Sequence, residues 1–205
     1  MHWKAVLKYA YSDANEWKMV ETQAENMTTP SQITSSLDTG NSWKRPPMGW
    51  VKCNVDGSFY NEDTTASAGW VVRNTKGTYQ YSGQAIGRQV SNALEAELQA
   101  VLMAIQHCWS RGHRKLIIEN DNKKAINLLN GMGLHFAAYN WIRDIRWWMQ
   151  KFEEIIFQWT RRTANRVADK LAKNRLPPSI LFQYHCYVPM FITTTLHEDY
   201  VKSSN

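Results

Sequence analysis

The sequence predicts an α/β domain built on a five-stranded mixed sheet, with three antiparallel strands followed by two parallel ones and helices on both faces. Two patterns support this fold class. Segments of alternating apolar and polar residues come first, and helical stripes then alternate with short β-branched segments. A hydrophobic fraction of 43% in 205 residues supplies a core, and most of the ten Trp are expected to fill or cover it.

The chain divides by composition into four parts. Residues 1–20 carry a broken helical pattern and predict an N-terminal helical segment. Residues 21–49 are rich in Thr, Ser, Asn, Gln and Pro, which predicts a disordered linker. Residues 50–176 form the compact domain. Residues 177–205 are an aromatic tail without a clear period, so packing on the domain and disorder both stay open.

The first half of the domain reads as a β-meander. Residues 50–56 alternate between apolar and polar side chains, which predicts a strand that ends at Asp56 and Gly57. Residues 67–74 and 78–83 predict two further strands, joined by a turn.

The clearest helix follows at residues 91–110, which carry one apolar stripe, and Gly112 ends it. Residues 115–119 are a short β-branched strand. Asp121 comes next, at the expected N-cap of a helix that runs to Leu129.

The last part of the domain repeats this alternation. Residues 139–152 predict a helix and residues 154–160 a fifth strand. Asn165 is expected to cap a final helix, which the Pro177–Pro178 pair ends.

Net charge, cysteine spacing and the lack of long apolar segments exclude few classes of protein function. A net charge of +6 is compatible with a polyanionic partner, although many basic proteins bind no nucleic acid. Cys53, Cys108 and Cys186 lie far apart without Cys-x-x-Cys spacing, which favours free thiols over disulfides or a zinc site. No signal peptide and no apolar run of membrane-spanning length is found, so an intracellular protein of the nucleus or cytoplasm is expected.

Four short acidic motifs recur along the domain, at residues 54–58, 94–98, 118–122 and 165–172. Each places a carboxylate beside a predicted strand end or on a helix with an apolar face. If the four carboxylates met, they would form a divalent-metal site for phosphodiester chemistry, because such sites gather hard oxygen ligands from distant segments.

The motifs alone do not assign every acid. Asp56 before Gly57 also fits a turn aspartate, and Asp121 also fits a helix N-cap. Glu119, two residues before Asp121, shares its predicted strand face and is a rival ligand.

The motifs also leave the assignment of the helical acids undecided. Glu95 and Glu97 flank the apolar stripe on opposite sides, so periodicity does not choose between them. Asp169 also fits a solvated helix residue paired with Arg166 or Lys173.

In order and context, the four motifs resemble the type 1 ribonuclease H family. More narrowly, the chain is similar to the plant ribonuclease H-like domains related to non-LTR retroelement reverse transcriptases. The residues that carry the likeness are Pro-Pro-Met-Gly-Trp-Val-Lys-Cys-Asn-Val-Asp-Gly-Ser at 46–58 and Arg-Thr-Ala-Asn-Arg-Val-Ala-Asp-Lys-Leu-Ala at 162–172. The resemblance runs from about Trp50 to Arg175.

The resemblance implies a ribonuclease H-like fold and an endonuclease that hydrolyses the RNA strand of RNA–DNA hybrids. It assigns Asp56, Glu97, Asp121 and Asp169 as catalytic and metal-binding residues for two Mg²⁺ ions, with Mn²⁺ as a substitute. Asp56 would bridge both ions. Asp169 would serve the nucleophile side, and Glu97 with Asp121 the leaving-group side.

The chain also departs from the family pattern. Many family members carry a His before the last helix, and here residues 159–165 contain none, with Arg161 and Arg162 in its place. Loss of a proton-transfer helper would slow turnover rather than abolish it. A catalytically weak or inactive nucleic-acid-binding domain derived from a retroelement is therefore the alternative.

The expected partner is an RNA–DNA hybrid, bound by a monomer. No other protein partner can be inferred from the sequence. The residues expected to contact the hybrid are Gly57, Ser58, Arg161, Arg162 and Arg166.

Overall fold

The computed structural model describes residues 42–203 of the chain. The predicted helical segment at residues 1–20 and most of the predicted linker lie outside the described residues. No helix in residues 42–203 is long and apolar enough to cross a membrane.

A mixed sheet of six strands forms the centre of the fold, in the order β5-β4-β1-β2-β3-β6. Its strands are β1 (Val51–Ser58), β2 (Thr65–Arg73), β3 (Tyr79–Gln89), β4 (Lys115–Asn120), β5 (Glu154–Trp159) and β6 (Phe182–His185). β1, β2 and β3 are antiparallel neighbours, and β4 and β5 run parallel to β1. The predicted mixed sheet is confirmed, with one strand more than the five that the sequence indicated.

Helices cover both faces of this sheet. They are α1 (Ala93–Ser110), α2 (Lys123–Leu129), α3 (Tyr139–Met149), α4 (Arg166–Lys173) and α5 (Met190–Lys202). The larger core cluster joins α1, α2 and α3 to one face of the sheet. On the other face, Val71 of β2 packs against Val167 and Leu171 of α4 and Ile192 of α5.

The aromatic tail is part of this fold. β6 pairs antiparallel with β3, from Ser82 opposite His185 to Ala85 opposite Phe182. α5 then contributes the buried Ile192 to the cluster under α4. The sequence pattern could not decide this because β6 is only four residues long and partly exposed, too short for a period to show.

Of the two predicted helix caps, Asp121 is wrong and Asn165 is confirmed in position only. Asn122, not Asp121, is the N-cap of α2, and its Oδ1 accepts a hydrogen bond from Ala125 N at 3.0 Å. Asn165 stands at the N-cap position of α4, but its side chain makes no capping bond. Both side chains that the sequence assigned to capping, the Asp121 carboxylate and the Asn165 amide, therefore serve other contacts.

Two glycines let helices approach the sheet at backbone distance. A Cβ on Gly57 of β1 would overlap the carbonyl of Ala96 in α1. A Cβ on Gly69 of β2 would overlap the backbone nitrogen of Ala172 in α4. Because Gly69 lies opposite Asp56 in the β1–β2 register, the two contacts fix both helices close to Asp56.

We expect Gly69→Ala to lower the free energy of unfolding by about 1–3 kcal/mol, because the added methyl group overpacks the α4–β2 contact. Urea denaturation followed by circular dichroism measures the change. Ser67→Ala is the matched control, since Ser67 is buried on the same face of β2 and its hydroxyl has no hydrogen-bond partner among residues 42–203. This control should stay within about 0.5 kcal/mol of the parent. Equal stability of Gly69→Ala and the parent would contradict the close contact.

Candidate metal centre

Three carboxylates from distant parts of the chain meet at one edge of the sheet. Asp56 comes from β1, Glu97 from α1, and Asp121 directly follows β4. One oxygen from each lies within 4.8 Å of the other two. Asp56 and Asp121 are level because Asn54 pairs with Glu119 in the parallel β1–β4 register. Asp56 is 6% exposed and Glu97 is 8% exposed, so the group is largely withdrawn from water.

Hydrogen bonds fix Glu97 in this position. Its Oε2 accepts from the backbone N of Gly57 at 2.9 Å and from Asn120 Nδ2 at 2.7 Å. Glu95 instead accepts from Ser91 N at 3.3 Å and from Asn92 Nδ2 at 3.1 Å, at the start of α1. Of the two helical acids, Glu97 therefore points into the cluster and Glu95 caps its own helix.

Glu119 lies apart from the cluster. Its Oε1 accepts from Lys52 Nζ at 2.6 Å and its Oε2 from Asn54 Nδ2 at 2.9 Å. Glu119 was a rival of Asp121 because residues two apart in a strand share a face. This alternation does not apply to Asp121, because β4 ends at Asn120.

Asp169 of α4 lies beside the three-carboxylate group with its charge already engaged. Its Oδ1 is 2.6 Å from Lys173 Nζ and 3.3 Å from Arg162 Nη2. Arg162 Nε also lies 4.0 Å from Asp121 Oδ2. The expected pairing with Lys173 is present, and Asp169 is still close enough for its charge to raise the pKa of Asp56.

The crowding of acids disfavours their charged forms. Burial, followed by the charges of Glu97, Asp121 and Asp169, raises the pKa of Asp56 to about 8. Burial and the Asp121 charge raise the pKa of Glu97 to about 7, against the lowering effect of its two hydrogen bonds. Burial also raises the pKa of Asp121. A divalent cation would relieve this repulsion, and carboxylate oxygens are the ligands that hard cations prefer, so the residues fit such an ion.

A single backbone carbonyl ties the acid-bearing elements together. Val55 O, next to Asp56, accepts from Asn120 Nδ2 at 3.0 Å and from Asn165 Nδ2 at 2.9 Å. Asn120 directly precedes Asp121, and the side chains of both asparagines are fully buried. Neither role was predicted from the sequence. A signal was available only for Asn120, a polar amide between Glu119 and Asp121 at the end of a buried strand.

The residues expected to contact nucleic acid differ in their solvent exposure and in the hydrogen bonds that they already make. Arg162 is 72% exposed in its side chain and borders the acids. Arg161 is also exposed, and Ser58 is partly exposed at the end of β1. Gly57 faces α1 and its N–H is used by Glu97.

Arg166 and Trp159 differ from the sequence expectations. Arg166 is engaged by α5, because its Nη2 donates to Glu198 Oε2 at 2.7 Å. Trp159 was not expected near the acids; its Nε1 donates to Asp121 O at 3.0 Å, and the residue is 45% exposed.

The sequence is similar to one family of proteins and to a plant protein. A model of the family described as reverse transcriptase-like matches residues 54–175. An Arabidopsis thaliana protein named as a candidate ribonuclease H is 28% identical over 163 residues, which cover 79% of this chain and 26% of that protein. The chain thus spans about a quarter of this relative's length.

Solved ribonuclease H structures share the fold at low identity. The ribonuclease H1 of Halobacterium salinarum NRC-1 aligns with a TM-score of 0.57 and 20% identity, covering 60% of this chain and 94% of that one. The N-terminal ribonuclease H domain of a Mycobacterium tuberculosis protein aligns with a TM-score of 0.55 and 21% identity, covering 61% and 91%. LC11-RNase H1, solved in complex with an RNA/DNA hybrid, gives 0.53 and 17%, covering 59% and 92%.

The matched segment takes in all four acidic positions of the candidate site, from Asp56 to Asp169, and it extends over more than half of the chain. The structural likeness independently supports the same fold. The chain therefore belongs to the reverse transcriptase-like family and has a ribonuclease H-like fold.

Proposed function

We propose that the protein is a divalent-metal-dependent endonuclease that hydrolyses the RNA strand of RNA–DNA hybrids. The observation that carries this proposal is the meeting of Asp56, Glu97 and Asp121, whose oxygens lie within 4.8 Å of one another beside exposed arginine side chains. The alignment with LC11-RNase H1, solved with an RNA/DNA hybrid, supports the choice of substrate.

The four acids would act as ligands for Mg²⁺ or Mn²⁺. A pair of such ions supplies charge stabilisation for the attacking and leaving oxygens of an in-line displacement. Asp56 lies among the other carboxylates, which supports its assignment as the shared ligand. Asp169 is paired with Lys173 and Arg162, so its use as a metal ligand requires that these ion pairs loosen.

Two groups of side chains would bind the nucleic acid. Arg161 and Arg162 would contact phosphates next to the acids, where a guanidinium donates two hydrogen bonds to phosphate oxygens. The exposed ring of Trp159 would stack on a base or sugar at the same edge. Without a His in residues 159–165, proton transfer would fall to water, and we expect slow turnover.

Asp56→Asn and Glu97→Gln should each lower the rate of hybrid cleavage at least about 100-fold, because each removes a charged ligand from the buried cluster. Single-turnover cleavage of an end-labelled hybrid in Mg²⁺ and in Mn²⁺ measures the rate. Glu95→Gln is the matched control on the same helix and should retain the parent rate, since Glu95 faces the start of α1.

Equal cleavage by the parent and Asp56→Asn would contradict the assignment. Salt-sensitive hybrid binding by a parent protein that does not cleave in Mg²⁺ or Mn²⁺ would instead favour the alternative, a nucleic-acid-binding domain that does not cut. The charge of Asp169, already neutralised by Lys173 and Arg162, is the observation that favours this alternative.

Without divalent cation, the free energy of unfolding should fall as pH rises from about 4 to about 8. Unfolded carboxyls titrate near pH 4, while folded Asp56 and Glu97 titrate at about 8 and about 7. The folded protein binds more protons between these values, so the stabilisation is complete below the unfolded pKa and is lost through the folded pKa.

Urea unfolding in EDTA at pH 5 and pH 8 tests this dependence. Asp56→Asn should flatten it, and Mg²⁺ at pH 8 should restore stability to the parent. Asp144→Asn, which changes an exposed aspartate on α3, should keep the parent slope. Burial lowers the pKa values of His107, His113 and His185, which gives the opposite slope in the parent and in Asp56→Asn alike. A parent slope equal to that of Asp56→Asn would therefore refute the interpretation.

Arg162→Ala should weaken hybrid binding and reduce the slope of log K against log salt concentration by about 1, as loss of one phosphate contact requires. Fluorescence anisotropy at several salt concentrations measures both quantities. Lys115→Ala is the control, because Lys115 is the first residue of β4, at the end of the strand opposite Asp121. An unchanged slope in Arg162→Ala would exclude a phosphate contact.

A further inference from the structure

A buried ion pair joins the C-terminal helix to the sheet. Arg73 of β2 donates from Nη1 to Asp199 Oδ2 of α5 at 2.9 Å, and the two residues are 1% and 2% exposed. The Arg73 guanidinium also lies 3.7 Å from the ring centroid of the buried Trp43. Asp199 lies beyond residues 54–175, the segment that matches the family.

Hydrogen bonds continue from this pair to the metal centre. Arg73 Nη2 donates to Asn54 Oδ1 at 2.6 Å, and Asn54 Nδ2 lies 3.3 Å from Asn165 Oδ1. Asn165 Nδ2 donates to Val55 O, which is also the acceptor for Asn120 Nδ2. The chain thus runs from α5 to the carbonyl beside Asp56.

Arg73 and Glu119 together set the direction of the bonds in this chain. A guanidinium has donors only, so the Asn54 oxygen faces Arg73. A carboxylate only accepts, so the Asn54 amide nitrogen faces Glu119 Oε2, at 2.9 Å, and also lies against Asn165 Oδ1. The Asn165 oxygen then accepts, which leaves the Asn165 nitrogen to hold Val55 O. If Arg73 were lost, the buried Asn54 oxygen would lose its donor and Glu119 alone would hold the Asn54 amide, which loosens the contact that orients Asn165.

The Arg73–Asp199 ion pair is expected to add little to the free energy of unfolding. Burial lowers the pKa of Arg73 and raises that of Asp199, and the opposite charge of each partner offsets the effect only in part. A buried ion pair can often be replaced by apolar residues without loss of stability, because desolvation offsets most of the attraction. What apolar residues cannot supply is the donor that faces the buried Asn54 oxygen.

We propose that Asp199 is a positioning residue for the metal centre, acting through Arg73, Asn54 and Asn165. The helix α5 then helps to position the candidate site, although none of the hydrogen bonds or ion pairs found in residues 42–203 joins α5 directly to Asp56, Glu97, Asp121 or Asp169. This inference rests on the proposed function only in that the centre being positioned binds divalent cations.

The double substitution Arg73→Met with Asp199→Leu separates positioning from stability. It replaces the ion pair with apolar side chains of similar size, so a purely structural role predicts parent behaviour once the melting temperature is matched. Positioning predicts three effects at equal stability: about 10-fold or more loss of Mn²⁺ affinity by calorimetry, a similar fall in kcat with KM for hybrid unchanged, and faster amide exchange in residues 162–169.

Two further variants complete the design. Asn54→Ala leaves Arg73 and Asp199 in place but breaks the chain one link nearer the centre, and it should reproduce all three effects if the double variant does not fold. Asp144→Asn, which removes an exposed ion pair with Arg143, is the matched control and should behave as the parent.

Parent-like amide exchange and Mn²⁺ affinity in the folded double variant, or in Asn54→Ala, would overturn the proposal. Amide exchange needs neither cation nor substrate. A parent protein that fails to cleave hybrids would therefore count against the proposed function, while the exchange in residues 162–169 would still decide the coupling.

Discussion

The carbonyl of Val55 is the point on which the candidate site depends. Two fully buried amides, from Asn120 and Asn165, donate to this one oxygen. Asn120 also holds Glu97, and Asn165 begins the helix that carries Asp169. Since buried amides without partners are strongly disfavoured, the elements that bear the acids cannot separate without breaking these bonds.

This arrangement explains how the fold tolerates a cluster of like charges. Glycines at 57 and 69 bring α1 and α4 onto the sheet, and the amide contacts then hold the carboxylates near one another despite their repulsion. The raised pKa values of Asp56 and Glu97 favour the neutral forms of these acids, and Lys173 and Arg162 lie against the charge of Asp169. A cation would take over this compensation, which links metal binding to proton release.

The segments outside the family match complete the domain. β6 covers the edge of β3, and α5 closes the apolar cluster around Val71. The Arg73–Asp199 pair lies in this same layer, so the segment that covers the sheet also carries the hydrogen-bond chain towards Val55. Packing and site geometry therefore share one interface on the α4 side of the sheet.

The sequence by itself determined the order of most elements and the four acidic motifs, because alternation, helical stripes and turn residues are local signals. Local periodicity did not choose Glu97 over Glu95 or Asp121 over Glu119. The family resemblance made both choices, and the tertiary structure brings Glu97 and Asp121 next to Asp56. The tertiary structure alone placed the tail in the sheet and directed the Asn165 side chain to Val55 O instead of to a capping bond. The physical reason is that these outcomes depend on hydrogen bonds between elements far apart in the chain, which no local period records.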